Sequence, residues 1–207
     1  MKNETLLNQI KLDFRNVTLG NAYTLPEEDY ADTSYWYFDK KRTDLNISED
    51  QWNNQEIQFF ETSGWLSPDI DEAILAIKDK RKMRNRFNNP FEIPNLYLNQ
   101  YAVGFSFLKP MAYLFYTPAI MNSVLTDPDF NYGLRDPEVL NFNSFNSWLN
   151  RLSRSNTEDL ITDLLKFFNA KQIELLIDFL HLALKLKSNS YLINEALNNI
   201  HLLKTNE

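Results

Sequence analysis

A chain of 207 residues is long enough to bury one substantial apolar core, and its net charge of −7 argues against a general nucleic-acid binder, which needs a basic face. The absence of cysteine from the sequence excludes disulfides, thiolate metal sites and cysteine nucleophiles. With four glycines in all, the sequence cannot build the glycine-rich loops of classical nucleotide-binding enzymes.

Residues 1–10 lack the continuous apolar region of a signal peptide. Nowhere does an apolar run reach the roughly 18 residues that a membrane-spanning helix needs. We therefore expect a cytoplasmic protein with no membrane partner.

The first quarter of the chain contains two predicted helices. Apolar residues at helical spacing predict the first, over residues 3–15. Residues 17–45 are rich in aromatic and turn residues but have no sustained period, which predicts an irregular, loop-dominated wrap. Ser48 and Gln51 form a capping-box pattern, which predicts the start of a second helix.

The central part begins with Ser67-Pro68-Asp69, an N-cap, a first-turn proline and an acid, which predict a helix that ends near Arg84. Pro110 predicts the start of another helix, which runs to about Leu125. Pro118 lies inside that helix, where a proline removes one backbone hydrogen bond and kinks or breaks the helix. We expect the surrounding packing to hold the bent form.

Two short motifs mark this central helix: Phe105-Ser-Phe-Leu-x-Pro110 and Tyr113-x-x-Tyr-x-Pro-Ala-Ile-Met121. They resemble the central motif of a family of uncharacterised bacterial proteins, in which Ser-Phe-Leu-x-Pro-Glu-Ala leads into Tyr-Tyr-Leu-Pro-Ala. This chain has Met111 where the family usually has Glu, and Thr117 where it usually has Leu. A weaker similarity extends to the first helix and to residues 170–180. The resemblance implies a shared fold and a bacterial origin, and the family has no activity to carry over.

The carboxyl-terminal part is the most regular. Apolar spacing predicts a short helix around Trp148, a second capped by Asn156, a third opened by the Asn169–Gln172 capping box, and a final helix that includes Tyr191. Leu160 and Tyr191 are among the side chains expected to be buried.

These elements predict a mainly α protein: an irregular single-domain helical bundle over residues 1–207 with an aromatic-rich, loop-dominated amino-terminal segment. Its parts are residues 1–65, with two helices and the aromatic wrap, residues 66–126, with the central helices, and residues 127–207, the carboxyl-terminal helices. No fixed repeat period is found.

Residues 127–138 are the strongest candidate for a metal-binding site. Asp127, Asp129, Asn131 and Glu138 occupy positions 1, 3, 5 and 12 of a calcium loop. The glycine that belongs at position 6 comes one residue late, however, and two prolines restrict the loop. Asp136 is equally good as a helix N-cap, so turn formation and capping are preferred and no cofactor or metal is predicted.

Other polar clusters have ordinary structural explanations. The dense basic run between residues 78 and 86 falls on the last turns of a predicted helix, where cations complement the dipole, although a contact with phosphate or an acidic partner is the alternative. Neither His181 nor His201 has a partner at metal spacing, and structural roles are preferred for both. No hydrolase motif occurs. The acids Asp69, Asp71 and Glu72 fit a helix start better than catalysis.

The run Tyr35-Trp36-Tyr37-Phe38 fills a core in one interpretation and forms a binding patch in the other. In the second, Tyr35, Trp36 and Tyr37 are aromatic anchors. They are flanked by acids that suit a basic partner, namely Asp29, Asp32 and Asp39.

These features favour a non-catalytic, acidic protein-binding domain, best explained as a bacterial immunity protein that blocks a basic, cytoplasm-acting toxin by covering its active or substrate-binding site. The alternatives are an enzyme without a familiar motif and a regulatory or structural interaction domain. No direct nucleic-acid partner is expected.

Overall fold

The computed structural model describes residues 2–28, 48–62, 71, 75, 87–127, 130, 143–186 and 190–203. Its α-helices are α1 (Lys2–Asp13), α2 (Glu49–Thr62), α3 (Asn95–Gln100), α4 (Pro110–Thr126), α5 (Ser144–Arg154), α6 (Glu158–Leu165), α7 (Ala170–Leu186) and α8 (Ser190–His201). Two 3-10 helices, Pro90–Glu92 and Ala102–Ser106, flank α3. No strand occurs in the residues described, and the predicted mainly α fold is confirmed.

The helices pack around one apolar core. α1 lies against α7 and α4, and α8 lies against α5 and α7. The 3-10 helix Ala102–Ser106 packs on α5. Buried apolar side chains from Leu6 to Ile200 form a single cluster, so the helices of both ends of the chain share one interior.

The two capping boxes predicted at Ser48 and Asn169 are confirmed. At α2, the Ser48 N–H donates to Gln51 Oε1 (2.8 Å), and the Gln51 N–H donates to Ser48 Oγ (3.2 Å). Asn169 and Gln172 form the same reciprocal pair before α7. Each pair satisfies two backbone donors that the first helical turn leaves open.

Three details of the carboxyl-terminal prediction are wrong. The N-cap of α6 is Thr157, whose hydroxyl accepts from the Leu160 N–H, and not Asn156. Leu160 is 52% exposed, because the face of α6 that lies against the core carries Ile161, Leu164 and Leu165. Tyr191 is 71% exposed on the first turn of α8.

The helix predicted from Ser67 to Arg84 lies largely outside the described residues, although Asp71 and Leu75 are helical.

α4 begins at Pro110 as predicted and continues through Pro118 to Thr126. Because Pro118 has no N–H, the carbonyl four residues earlier loses its helical donor. That carbonyl belongs to Leu114. The hydroxyl of the neighbouring Thr117, which is fully buried, donates to a different carbonyl, that of Tyr113, at 2.7 Å.

Thr117 also connects α4 to α5. The indole Nε1–H of Trp148 donates to Thr117 Oγ1 at 3.0 Å, and the Tyr113 hydroxyl donates to the backbone carbonyl of Trp148 at 3.2 Å. The three residues thus form a closed circuit of hydrogen bonds, which we call the α4–α5 circuit. Every polar side-chain group in it is buried and satisfied.

Aromatic rings surround this circuit. Tyr113 and Trp148 are stacked, with an interplanar angle of 3° and a centroid distance of 6.0 Å. Phe179 of α7 packs edge-on against Trp148. Phe168 lies between Tyr113 and Phe14, which follows α1. The circuit therefore sits where α4 and α5 meet the helices of both chain ends.

We predict that Thr117→Val destabilises the protein by about 2 kcal/mol, because valine keeps the shape of threonine and leaves the buried Trp148 N–H without an acceptor. The matched control is Thr126→Val, since Thr126 makes the same bond to the carbonyl four residues earlier but is exposed. Its cost is expected to be below about 0.5 kcal/mol. Urea denaturation measures both; equal losses would contradict the role given to the circuit.

Two buried phenols predict a loss of stability at alkaline pH. Burial raises the pKa of Tyr113 well above its ordinary value near 10, although Arg151 opposes the shift. Burial, with a smaller contribution from Tyr116, likewise raises the pKa of Tyr97. Above pH 10 the unfolded chain loses phenolic protons that the folded chain keeps, so the free energy of unfolding falls by about 1.4 kcal/mol per pH unit for each residue.

Urea denaturation between pH 9 and 11.5 measures whether the free energy of unfolding falls as pH rises. Tyr113→Phe is expected to remove the contribution of Tyr113 to the fall in the free energy of unfolding with pH. A Tyr113→Phe slope equal to that of the unsubstituted protein would refute the assignment.

Candidate functional site

An open cleft of about 380 Å³ lies between α1 and α7. Leu6 and Gln9 of α1 line one side, and the other side is formed by a stripe of α7. The residues of that stripe are Asp178, His181, Leu182 and Lys185.

The cleft follows from the antiparallel packing of two amphipathic helices. The amide of Gln172, at the start of α7, donates to the carbonyl of Asp13, the last residue of α1, at 3.0 Å. α1 then runs back along α7 and buries Leu6 and Ile10, so its first turns lie beside the last turns of α7. The polar residues next to these buried positions border the groove between the helices.

The titratable side chains of the cleft are available to a partner. Asp178, His181 and Lys185 are exposed, and none forms a hydrogen bond or ion pair with any residue of the described chain. By contrast, Lys171 and Glu174, earlier on α7, pair with each other at 3.2 Å.

The floor of the cleft is apolar. Leu6 is 8% exposed and Leu182 is half-buried, and Leu186, one turn further along α7, is 44% exposed. An apolar strip bordered by unpaired charges fits the surface of a macromolecule. It fits a small metabolite less well, because pockets for such ligands enclose most of the ligand.

A second polar cluster, around residues 24–28, is buried. The Thr24 N–H donates to Glu27 Oε2 (2.8 Å) and the Glu27 N–H donates to Thr24 Oγ1 (3.3 Å), which is a capping box on a helical turn. Next to it, Glu28 Oε1 accepts from the backbone N–H of Lys109, the N-cap of α4 (3.4 Å). Both glutamates are less than 5% exposed.

This cluster fastens residues 24–28 to the centre of the fold. The Leu25 N–H donates to the hydroxyl of Tyr116 of α4 at 3.3 Å. A side chain at Gly104 would overlap the carbonyl of Leu25, so the two backbones approach as closely as glycine permits. Both carboxylates bind backbone N–H groups of the fold, so we assign the cluster a structural role.

Of the predicted calcium residues, the structure describes Asp127 alone. It is the C-cap of α4, and its Oδ2 accepts from the Asn95 amide at 2.7 Å, while Asn95 Oδ1 accepts from Ser123 at 2.6 Å. Asp127 thus joins α3 to α4. Asp129, Asn131 and Glu138 lie outside the described residues, and no group of three or more metal-binding side chains occurs among those that are described.

The predicted partner-binding residues Asp29, Asp32, Tyr35, Trp36, Tyr37 and Asp39 also lie outside the described residues, as does the basic run between residues 78 and 86. Both histidines are described and exposed, and His181 lines the cleft. Among the helices that the structure describes, none is long and apolar enough to cross a membrane.

Sequence reasoning missed both polar clusters. Thr24-Leu-Pro-Glu27 carries the capping-box spacing with a first-turn proline, so a local signal for the buried turn was present. The cleft had no such signal, because it depends on the pairing of α1 with α7, which are separated by more than 150 residues.

The comparisons with known proteins give a family and no function. No curated protein and no solved structure matches the chain. A family model matches residues 71–200, which is more than half of the chain and includes α3 to α7 and most of α8. The chain therefore belongs to DUF6714, a family of unknown function.

Proposed function

We propose that this chain is a non-catalytic protein-binding domain that acts as a bacterial immunity protein. It neutralises a basic toxin protein by covering the active or substrate-binding site of that toxin. The observation that carries the proposal is the net charge of −7 on a cysteine-free chain of 207 residues.

Charge of this kind selects partners and speeds their encounter. A toxin that attacks nucleic acid or a nucleotide cofactor needs a basic surface for phosphate. An acidic inhibitor competes for that surface and associates rapidly, since opposite charges steer the approach of the two proteins.

The proposed contact is the segment that contains Asp29, Asp32 and Asp39 around the aromatic residues 35–37. Its first acid directly follows Glu28, whose carboxylate is bound to the start of α4. The proposed contact therefore adjoins a residue that is fixed to the core.

The alternative of an enzyme without a familiar motif is favoured by one observation, the presence of Asp178, His181 and Lys185 in one cleft. The two functions differ in stoichiometry. An inhibitor protects when present in amounts equal to its toxin, whereas an enzyme that repairs toxin damage protects at far lower amounts.

Co-expression with a toxin whose gene neighbours that of this chain tests the proposal, and a gene neighbourhood without a toxin would count against it. We expect cells to survive when the chain is present and the purified proteins to form a 1:1 complex by calorimetry. Replacement of Asp29, Asp32 and Asp39 by lysine is expected to weaken the complex by at least about 100-fold, because each new charge faces a basic surface.

The matched control carries the same change of charge elsewhere, with lysine at Asp159, Asp163 and Glu174, which are exposed on α6 and α7. It is expected to lose less than about tenfold, through long-range steering alone. Failure of the unsubstituted chain to protect, or equal losses in the two triple variants, would count against the proposal.

A further inference from the structure

We propose that two copies of this chain associate through the cleft face of α7, as an antiparallel pair related by a two-fold axis. This goes beyond the proposed function, because it assigns a second surface with a different partner. The occupant of the cleft is then another copy of the same protein.

The charges on this face complement themselves. Asp178 and Lys185 are seven residues apart, which is two helical turns and about 10.5 Å along the axis. In an antiparallel pair whose two-fold axis passes between positions 181 and 182, Asp178 of each copy faces Lys185 of the other. One surface thus forms two ion pairs, as an isologous contact requires.

The centre of the same face is partly apolar. His181 and Leu182 stand on the two sides of the axis, and Leu6 of α1 forms the floor beside Leu182. Leu186, beyond Lys185, adds an apolar side chain that is 44% exposed. Apolar side chains near the axis with charges at both ends match the anatomy of protein interfaces.

The unpaired charges of α7 lie between residues 178 and 185. Lys171 pairs with Glu174 at the start of the helix, so the carboxylate and ammonium groups there are already satisfied within one chain. Asp178 and Lys185 have no such partner within the described residues, and at two helical turns apart they are too distant to pair with each other. A second copy supplies the missing partner for both.

Sedimentation equilibrium of the full chain tests the proposal through paired charge reversals. In Asp178→Lys, two lysines face each other at both ends of the pair, and in Lys185→Asp, two aspartates do. Each variant alone is expected to dissociate at least about tenfold more readily than the unsubstituted protein. An equimolar mixture of the two restores both ion pairs, and we expect it to associate like the unsubstituted protein.

If net charge alone governed association, the variants would behave differently. Asp178→Lys changes the net charge from −7 to −5, so a general repulsion between acidic chains would make this variant associate more strongly. The controls Asp163→Lys and Lys166→Asp make the same changes at an exposed pair outside the cleft and are expected to leave association unchanged.

The proposal is overturned if the unsubstituted chain stays monomeric up to about 0.5 mM. It is also overturned if the mixture associates no better than either variant alone. Circular dichroism confirms that each variant is folded. The assay contains no toxin, so its outcome is independent of the test of the proposed function.

Discussion

The α4–α5 circuit fixes two helices to each other in the middle of an apolar core. A buried polar group that is left unsatisfied costs more than a hydrogen bond contributes, and every polar side chain of the circuit has a partner. Thr117 adds a bond to the carbonyl of Tyr113 and accepts the indole proton of Trp148. The successive helices α4 and α5 are thereby held in one register.

The rings of this circuit also position the candidate site. Trp148 supports Phe179 of α7, and Tyr113 supports Phe168, which packs on Phe14 at the end of α1. The two helices that form the cleft are therefore placed by the same core that holds α4. The buried capping box at residues 24–28 is fixed to the same helix, because the Glu28 carboxylate accepts from the N–H of Lys109, the N-cap of α4. The cleft and this buried turn thus both depend on α4.

Local signals in the sequence predicted most of the helices. The capping boxes at Ser48 and Asn169 and the first-turn proline at Pro110 act through neighbours three or four residues away, so their effect can be read directly. Exposure was harder to predict. Leu160 and Tyr191 have apolar character at helical spacing, but the partner helix that decides which face is buried is distant in sequence. The cleft is missed for the same reason: its charges converge only after α1 packs on α7.

Hydrogen exchange of the Trp148 indole proton tests the central claim about the circuit most directly. If the circuit holds the core together, this proton exchanges only when the whole protein unfolds. The free energy derived from its exchange rate should then equal the free energy of unfolding from urea denaturation, within about 0.5 kcal/mol. Exchange more than about 100-fold faster than global unfolding allows would show that the circuit opens locally, and would contradict the account.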